Sequence, residues 1–440
     1  MARRRIFQFS LGLILVLVAS QASAQTAVMK QFSQFPGGGQ GLYWVPSSGP
    51  ISHIAFLVIH RTGDNLSHVS TQELPQRGFS VLGMNSRFKN NEASVNWELI
   101  ALDVRAGVRF LRSQSGITKV ILIGHSGGGP TTSYYQAVAE NGPSYCQGPN
   151  KLSQCTDAQL AGFVPTDKAD AIVFTDAHPS NGINRLRGFN PAVVNEDKPK
   201  NTNPALDPFR VKNGFNPDGD SVYSQSFVDR YSRAQSGRMN YLIERSLQIE
   251  QDMQDGKHVP TDDDAVVIYR SSARLSDFST GVHCCTLAPR KLLKNDGTVD
   301  ASQIVRTVRA PDPSQKESDA SFGGTEFLTI TSFLSANAIV STHSLNEIDW
   351  CSTNNSVPCA VQRISVPIMV AAMGGYFFIR DGEQIYEMSA SADKDFVVIE
   401  GANHSLAPCA PCSVLHGGAD YSRARINLFN YIRDWVTARF

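Results

Sequence analysis

The chain has 440 residues, of which 41% are hydrophobic and 18% are charged, and its 40 basic side chains balance 40 acidic ones. A formal net charge of zero, with no basic run beyond the N-terminus, argues against nucleic acid or an anionic membrane surface as a partner. A chain of this length is able to bury a large core in one elaborated domain or in two.

The N-terminus has the pattern of a secretory signal peptide. Three arginines at positions 3–5 precede a short apolar stretch at 11–19, and Ala22-Ser23-Ala24 has the small-x-small form of a cleavage site. We therefore predict a signal peptide over residues 1–24 and a secreted or periplasmic mature protein that starts at Gln25. No later stretch of the sequence predicts a membrane span, so no membrane contact is expected after cleavage.

Strand-like and helix-like patterns alternate through the next 150 residues. Residues 97–114 predict an amphipathic helix, because Ile100, Val104, Val108 and Leu111 recur at spacings of three and four. Short apolar or β-branched runs before and after this helix predict strands, several of them buried on both faces. The predicted strands are 42–46, 54–59, 79–83, 118–123 and 170–176.

The fourth of these runs leads directly into Gly124-His125-Ser126-Gly127-Gly128, a G-x-S-x-G motif followed by a helix-compatible stretch at 131–139. A nucleophilic serine at the end of a buried strand needs a sharp turn into a helix, and glycine two residues before and after it leaves room for that turn. The amide of Gly127 would then point to where an oxyanion forms. This context favours a nucleophile over a glycine-rich turn that happens to contain serine.

The alternation stops after residue 176. Residues 178–361 are polar and rich in Asn, Asp, Pro and Ser, with one clear helix at about 224–253. The pattern then resumes with a strand at 366–373, a helix near 383–390, a strand at 396–400 and a helix at 423–439. We predict an α/β fold with a doubly wound, mostly parallel sheet built from 25–177 and 362–440. Residues 178–361 would form a cap or lid over the strand ends, where ligands bind.

This order of elements, together with the H-x-x-G loop at His60 and the late Gly401-Ala-Asn-His404, resembles the α/β-hydrolase superfamily over residues 50–178 and 362–440. The resemblance implies a serine hydrolase whose triad follows the chain order Ser, acid, His. Ser126 would be the nucleophile and His404 the general base. The oxyanion donors would be the amides of Gly127 and Arg61, with Thr62 as the alternative to Arg61.

The acid departs from the commonest pattern of that superfamily. Many members carry it in the loop after the penultimate strand, but residues 374–380 contain no carboxylate, and Asp381 and Glu383 come late enough to lie in the next helix. A minority, haloalkane dehalogenases among them, place it at the end of the strand after the nucleophile, where this chain has Asp176. We predict Asp176 as the acid, with Asp381 or Glu383 as the alternative. Dehalogenase chemistry itself would need an aspartate in place of Ser126.

Two aromatic residues are candidates for binding the substrate. His125 lies beside the nucleophile and Tyr376 opens an aromatic run after the penultimate strand, although either side chain could serve packing instead. We expect an ester of a medium-sized organic molecule as substrate, cleaved through an acyl-enzyme without cofactor or metal. Amidase, lactonase or acyltransferase activity on the same residues, or a non-catalytic binding protein, remains an alternative.

The predicted export determines how the eight cysteines are interpreted. An even number in an oxidising compartment predicts disulfides, and three pairs lie close in sequence. For the adjacent Cys284 and Cys285 we expect different partners or partly reduced thiols, with a vicinal disulfide as the alternative. A zinc site at His404, Cys409, Cys412 and His416 is the competing interpretation. The three close pairs are Cys146/Cys155, Cys351/Cys359 and Cys409/Cys412.

Overall fold

The computed structural model describes residues 26–260 and 262–440 of the chain. The predicted signal peptide and Gln25 lie outside these residues. None of the helices in the part described combines the length and the hydropathy needed to cross a membrane.

The strands of the described residues have sharply different surroundings, from fully buried to largely exposed. The middle strands are continuous apolar runs with every residue buried, as expected of parallel strands covered on both faces. Their bounds are β1 (Ala27–Gln34), β2 (Gln40–Pro46), β3 (Ile54–His60), β4 (Ser80–Asn85), β5 (Lys119–His125), β6 (Ala171–Thr175), β7 (Ala265–Ile268), β8 (Arg290–Leu293), β9 (Val299–Gln303), β10 (Glu326–Thr329), β11 (Ser341–His343), β12 (Glu347–Ile348), β13 (Ile368–Met373) and β14 (Lys394–Ile399).

Within residues 26–260 and 262–440, ten of these strands form one sheet in the order β1-β2-β4-β3-β5-β6-β13-β14-β8-β9. Neighbours from β4 to β8 are parallel, whereas β1, β2 and β9 pair antiparallel at the two edges. The carboxyl ends of β3, β5, β6 and β14 therefore lie along one edge of the sheet, which is where an α/β sheet binds its ligands.

Helices cover both faces of the sheet. Leu57 and Ile59 of β3 pack into one apolar cluster, whereas Phe56 and Val58 pack into another, because successive side chains of a strand point to opposite faces. The helix bounds are α1 (Ser70–Glu73), α2 (Ile100–Arg112), α3 (Gly128–Asn141), α4 (Asn181–Gly188), α5 (Gln225–Gln254), α6 (Leu275–Phe278), α7 (Gln315–Ala320), α8 (Ile330–Ser332), α9 (Val357–Ala360), α10 (Ile379–Met388), α11 (Ala410–Leu415) and α12 (Ala424–Thr437).

The insertion at 178–361 has an aromatic core of its own, in which Phe227 and Tyr231 of α5 pack with Phe278 of α6. A cap built from the whole of this segment, as expected from the sequence, differs from the structure in one respect. Strands β8 and β9 lie inside the insertion, yet β8 pairs with β14 and extends the central sheet. These strands are short and largely polar, so their sequence lacks the apolar run that identified the buried strands.

Candidate active site

Ser126 lies in the tight turn between β5 and α3. Its φ is 53°, in the left-handed region that a residue with a side chain adopts at a cost, and such strain concentrates at functional sites. The glycines of the motif allow a close approach of backbone segments: a Cβ on Gly128 would lie 2.5 Å from the carbonyl oxygen of Ile59 at the end of β3. The turn thus presents Ser126 at the edge where β3, β5 and β6 end.

Three of the residues singled out in the sequence form one hydrogen-bonded chain. Nε2 of His404, in the loop after β14, lies 2.9 Å from Oγ of Ser126, and Nδ1 lies 2.6 Å from Oδ2 of Asp176. Asp176 follows β6 and is 1% exposed, and its Oδ1 accepts from the amide of Met373 at 3.0 Å. Because a carboxylate accepts, the His404 proton belongs on Nδ1, which leaves the Nε2 lone pair facing the serine hydroxyl.

Asp381 and Glu383 have other partners. Asp381 pairs with Arg187 Nη1 at 2.8 Å and with His283 Nε2 at 3.0 Å. Burial raises the pKa of Asp381, but Arg187 and His283 hold it well below its usual range. Glu383 accepts from the amide of Leu287 at 2.7 Å and from other groups of residues 287–290. Both carboxylates therefore hold the insertion against α10, and the imidazole of His404 is paired with Asp176 instead.

The two predicted oxyanion donors belong to different loops, the elbow itself and the loop after β3. Gly127 is the N-terminal residue of the turn into α3, where unpaired amides and the helix dipole favour negative charge. Arg61 follows β3, and in the part of the chain that the structure describes neither its amide nor that of Gly127 donates to a protein group. The amide of Thr62, the alternative donor, is directed to Nδ1 of His60 at 3.1 Å. This difference favours Arg61 over Thr62.

The side chain of Arg61 is buried in an ion pair. Its Nη2 lies 2.6 Å from Glu92, which also pairs with Arg185 at 3.1 Å. Burial raises the pKa of Glu92, but the two arginines hold it well below its usual range. The pairing fixes the guanidinium of Arg61 next to the elbow.

His125 takes part in a directed chain of hydrogen bonds. Its Nε2 lies 2.7 Å from the carbonyl oxygen of His404, so this nitrogen must donate and Nδ1 must accept from His68 Nε2 at 3.0 Å. The amide of Ser70 donates to Nδ1 of His68 at 3.2 Å, which agrees with that direction. Burial lowers the pKa of His68 to about 4 and that of His125 well below its ordinary value. Both nitrogens of His125 are thus engaged, Nε2 with the His404 loop and Nδ1 with His68.

Tyr376 lies flat against the imidazole of His404. The two rings are 4.4 Å apart and inclined by 20°, and Phe377 stacks on the other side of Tyr376 at 4.1 Å. Arg274 of the insertion in turn lies over Phe377, 4.6 Å from the ring centre. Tyr376 and Phe377 also line an open cleft of about 520 Å³. Tyr376 therefore contacts both His404 and this cleft.

The strand order, the parallel centre and the serine elbow between β5 and α3 decide the architecture. The chain has the α/β-hydrolase fold. The fold expected from the sequence is thereby confirmed. Among the described residues, the elements that carry it are β2 to β6, β8, β13 and β14 with their flanking helices.

No protein-family model matches the chain, and no curated protein matches its sequence. Solved structures resemble it at low identity. A hypothetical protein of Pseudomonas aeruginosa has 12% identity and a TM-score of 0.41, with 99% of this chain and 100% of that one covered. A soluble variant of the monoglyceride lipase of Saccharomyces cerevisiae has 11% identity and a TM-score of 0.37, with 95% and 97% covered.

A third structure, brefeldin A esterase, described as a bacterial homologue of human hormone-sensitive lipase, has 11% identity and a TM-score of 0.40. The aligned region covers 98% of this chain and 80% of the esterase. Likeness at this level concerns the overall course of the chain and says nothing of the substrate. The α/β-hydrolase fold of this protein therefore rests on its own strand order and elbow.

Three histidines that the α/β-hydrolase fold brings to the elbow were given no role from the sequence, and only His60 was named there, as part of the H-x-x-G loop. His60 ends β3, His178 follows Asp176 by two residues, and His68 lies in the loop before α1. A Cβ on Gly127 would lie 3.1 Å from His178 Nε2, so this ring reaches the turn that holds Ser126. The signal was present at two of them, because His60 and His178 stand at the ends of predicted strands that converge on the ligand-binding edge.

The cysteines pair locally. Cys146–Cys155, Cys351–Cys359 and Cys409–Cys412 are disulfides, as expected. For the adjacent pair the favoured expectation is wrong and the alternative holds, because Cys284 and Cys285 are bonded to each other. The alternative zinc cluster is not assembled either: Cys409 and Cys412 are joined, His404 faces Ser126 and Asp176, and His416 Nε2 lies 3.1 Å from the Val308 carbonyl oxygen.

Proposed function

We propose that the protein is a serine hydrolase that cleaves carboxylic esters of medium-sized organic molecules. The observation that carries the proposal is the pair of hydrogen bonds at His404, 2.9 Å to Ser126 Oγ and 2.6 Å to Asp176 Oδ2. This is the arrangement by which a buried carboxylate orients an imidazole as the general base of a serine nucleophile.

In the acylation half of the cycle, each of these groups has a defined role. Ser126 Oγ attacks the ester carbonyl carbon while His404 Nε2 takes the hydroxyl proton, and Asp176 stabilises the imidazolium that forms. The amides of Gly127 and Arg61 donate to the oxyanion of the tetrahedral intermediate. The carbon–oxygen bond to the alcohol then breaks, and His404 returns its proton to the departing alkoxide. The products of this half are the free alcohol and an acyl ester on Ser126.

Deacylation repeats the sequence with water. His404 takes a proton from water, the resulting hydroxide attacks the acyl carbon, and the same donors hold the oxyanion. Collapse of the intermediate breaks the bond to Ser126 Oγ, which regains a proton from His404. The carboxylic acid leaves, and no oxidant, reductant or metal is consumed in the cycle.

A cleft lined by Tyr376, whose ring stacks on His404, supports a substrate of moderate size. The cleft of about 520 Å³ is bounded by Tyr376 and Phe377 of the core and by Arg274 and Arg309 of the insertion. Pockets of 300–1,000 Å³ with aromatic walls are typical of sites for small organic ligands. Export of the enzyme, proposed from the N-terminal sequence, fits the four disulfides formed by its eight cysteines.

The test combines a fluorophosphonate probe with a panel of esters, amides and lactones. We expect the wild type to be labelled at Ser126 and to hydrolyse short p-nitrophenyl esters. Ser126→Ala should abolish labelling and reduce turnover by about 10³-fold or more, since triad residues act as a unit. Ser133→Ala, the same change in helix α3, should do neither.

The other outcomes separate the alternatives. An unlabelled wild type with no turnover would contradict the enzyme assignment and favour a binding protein. Turnover of amides or lactones without turnover of esters would leave the serine mechanism standing and refute the ester substrate.

A further inference from the structure

Side chains from other elements fill the space beside the Cα of Gly127 where a Cβ would lie. Gly127 has φ −66° and ψ −6°, a conformation open to any residue, so its backbone does not require glycine. A Cβ at this position would nevertheless overlap Nη1 of Arg61 and Nε2 of His60. Glycine is needed here because two nitrogen-bearing side chains occupy the Cβ position of the residue whose amide is proposed to hold the oxyanion.

The hydrogen bonds of His60 fix where its ring proton lies. Nδ1 is 3.1 Å from the amide of Thr62 and 2.8 Å from the amide of Gly63. An amide only donates, so Nδ1 must accept from both, and the single proton of the neutral ring is on Nε2. Burial, with Arg61 nearby, lowers the pKa of His60 to about 3, so the ring stays neutral near pH 7.

The Nε2–H group of His60 has no protein partner within residues 26–260 and 262–440, and it faces Gly127. We propose that His60 is a catalytic residue whose Nε2–H is a third donor to the oxyanion, beside the amides of Gly127 and Arg61. The inference rests on the proposed serine mechanism. The proton stays on His60 throughout, and the group contributes only a preoriented dipole that is engaged when charge develops on the carbonyl oxygen.

The two other side chains near Gly127 are less well suited to this role. Arg61 directs Nε and Nη2 to Glu92 at 3.0 and 2.6 Å, so its charge is largely balanced by a carboxylate. His178 has a buried Nδ1 without a hydrogen-bond partner among the described residues, so nothing fixes which of its nitrogens carries the proton. His60 alone of the three has a donor whose direction is set by two backbone amides.

Two substitutions separate the donor from the structural role of the ring. In His60→Asn, Oδ1 replaces Nδ1 as the acceptor for the Thr62 and Gly63 amides, while the donor at the Nε2 position is lost. In His60→Gln, the longer amide places an N–H near the Nε2 position and gives up the acceptor for the loop. The matched control is His53→Asn, which changes an exposed histidine outside the site.

We expect His60→Asn to lower kcat by about 10²-fold or more, as loss of one oxyanion donor does, with KM changed by less than about threefold. The affinity for a trifluoromethyl ketone, which adds to the serine as a tetrahedral oxyanion, should fall by a similar factor. His60→Gln should recover part of both. His53→Asn should match the wild type, and fluorophosphonate should still label Ser126 in every variant.

Two results would overturn the assignment. One is a His60→Asn enzyme that keeps kcat within about threefold of the wild type. The other is an equal loss in both His60 variants with unchanged affinity for the ketone, which would reduce His60 to a support of the loop. If the Asn variant does not fold, wild-type protein labelled with 15N-histidine decides, since the Nε2–H resonance of His60 must shift when the ketone adduct forms.

The same experiment keeps this inference apart from the proposed function. A wild type that neither reacts with fluorophosphonate nor turns over any ester contradicts the serine mechanism itself. A reactive wild type whose His60→Asn variant is equally active contradicts only the role of His60.

Discussion

Asp176 and Asp381 are both buried carboxylates, and each is paired with a histidine. Asp176 lies 2.6 Å from His404, which contacts Ser126, whereas Asp381 lies 3.0 Å from His283 and also holds Arg187. The two pairs differ in their further partner, which is Ser126 for His404 and Arg187 for Asp381. An imidazole flanked by a carboxylate and a serine hydroxyl is set to exchange a proton, whereas a carboxylate shared by an arginine and a histidine is fixed in place.

Exchanging each aspartate for asparagine tests this difference. Asp176→Asn should keep its packing but remove the charge that orients and stabilises His404, lowering kcat by about 10³- to 10⁴-fold. Asp381→Asn should leave kcat of the folded protein within about tenfold of the wild type. It should lower the melting temperature instead, because the charge of buried Arg187 loses its partner. Steady-state kinetics and thermal unfolding of both variants give the answer, and the reverse pattern would assign the acid to Asp381.

The sequence identified Ser126, Asp176 and His404 as candidates because each stands at the end of a recognisable strand. Strand ends of a parallel sheet converge, so a residue found there is placed near the others without knowledge of side-chain positions. The structure brings the three together, and their catalytic role is still a prediction. The donor role proposed for His60 could not be predicted from the sequence, because it depends on which ring nitrogen carries the proton. That choice is set by amides of the loop to which His60 belongs.

Helix α10 connects the core sheet to the insertion through the side chains of its first turns. Glu383 in its first turns accepts from the amides of Leu287 and Ala288 and from Arg290, and these residues lead directly into β8. The helix thereby fixes the segment that brings β8 to the edge of the sheet beside β14. The sequence predicted α10 but not β8, because pairing at a sheet edge leaves little apolar pattern in a short polar strand.

Removal of the Glu383 charge tests this attachment. Glu383→Gln should speed hydrogen–deuterium exchange at residues 287–293, because two amides lose a charged acceptor and Arg290 loses one of its two ion pairs. Exchange in β5 and β6 should stay as in the wild type, and kcat should change by less than about threefold. Glu387→Gln is the matched control, since the carboxylate of Glu387 is half exposed and, within the described part of the chain, accepts from Arg290 alone. Unchanged exchange at 287–293 would contradict the anchoring role of Glu383.

At the scale of the whole molecule, three of the disulfides close short loops. Cys146–Cys155 and Cys351–Cys359 close neighbouring loops, since the amide of Leu152 donates to the carbonyl oxygen of Ser352 at 2.8 Å. Cys409–Cys412 closes the loop that follows His404, and a Cβ on Gly375 would lie 3.0 Å from Cys412 Sγ. The cross-links therefore differ in their distance from the site, although their loops are similarly short.

That difference predicts separate effects of removing each disulfide. Alkylation of the unreduced, denatured protein should modify none of its eight cysteines, since all of them are paired. The Cys146→Ser/Cys155→Ser double variant should lower the free energy of unfolding by about 2–3 kcal/mol, the scale for closing a short loop, with kcat unchanged. The Cys409→Ser/Cys412→Ser variant should lower kcat as well, because the loop that carries His404 loses its cross-link. Mass spectrometry, denaturant unfolding and ester kinetics measure these effects, and free thiols with bound zinc in the native protein would refute the paired state.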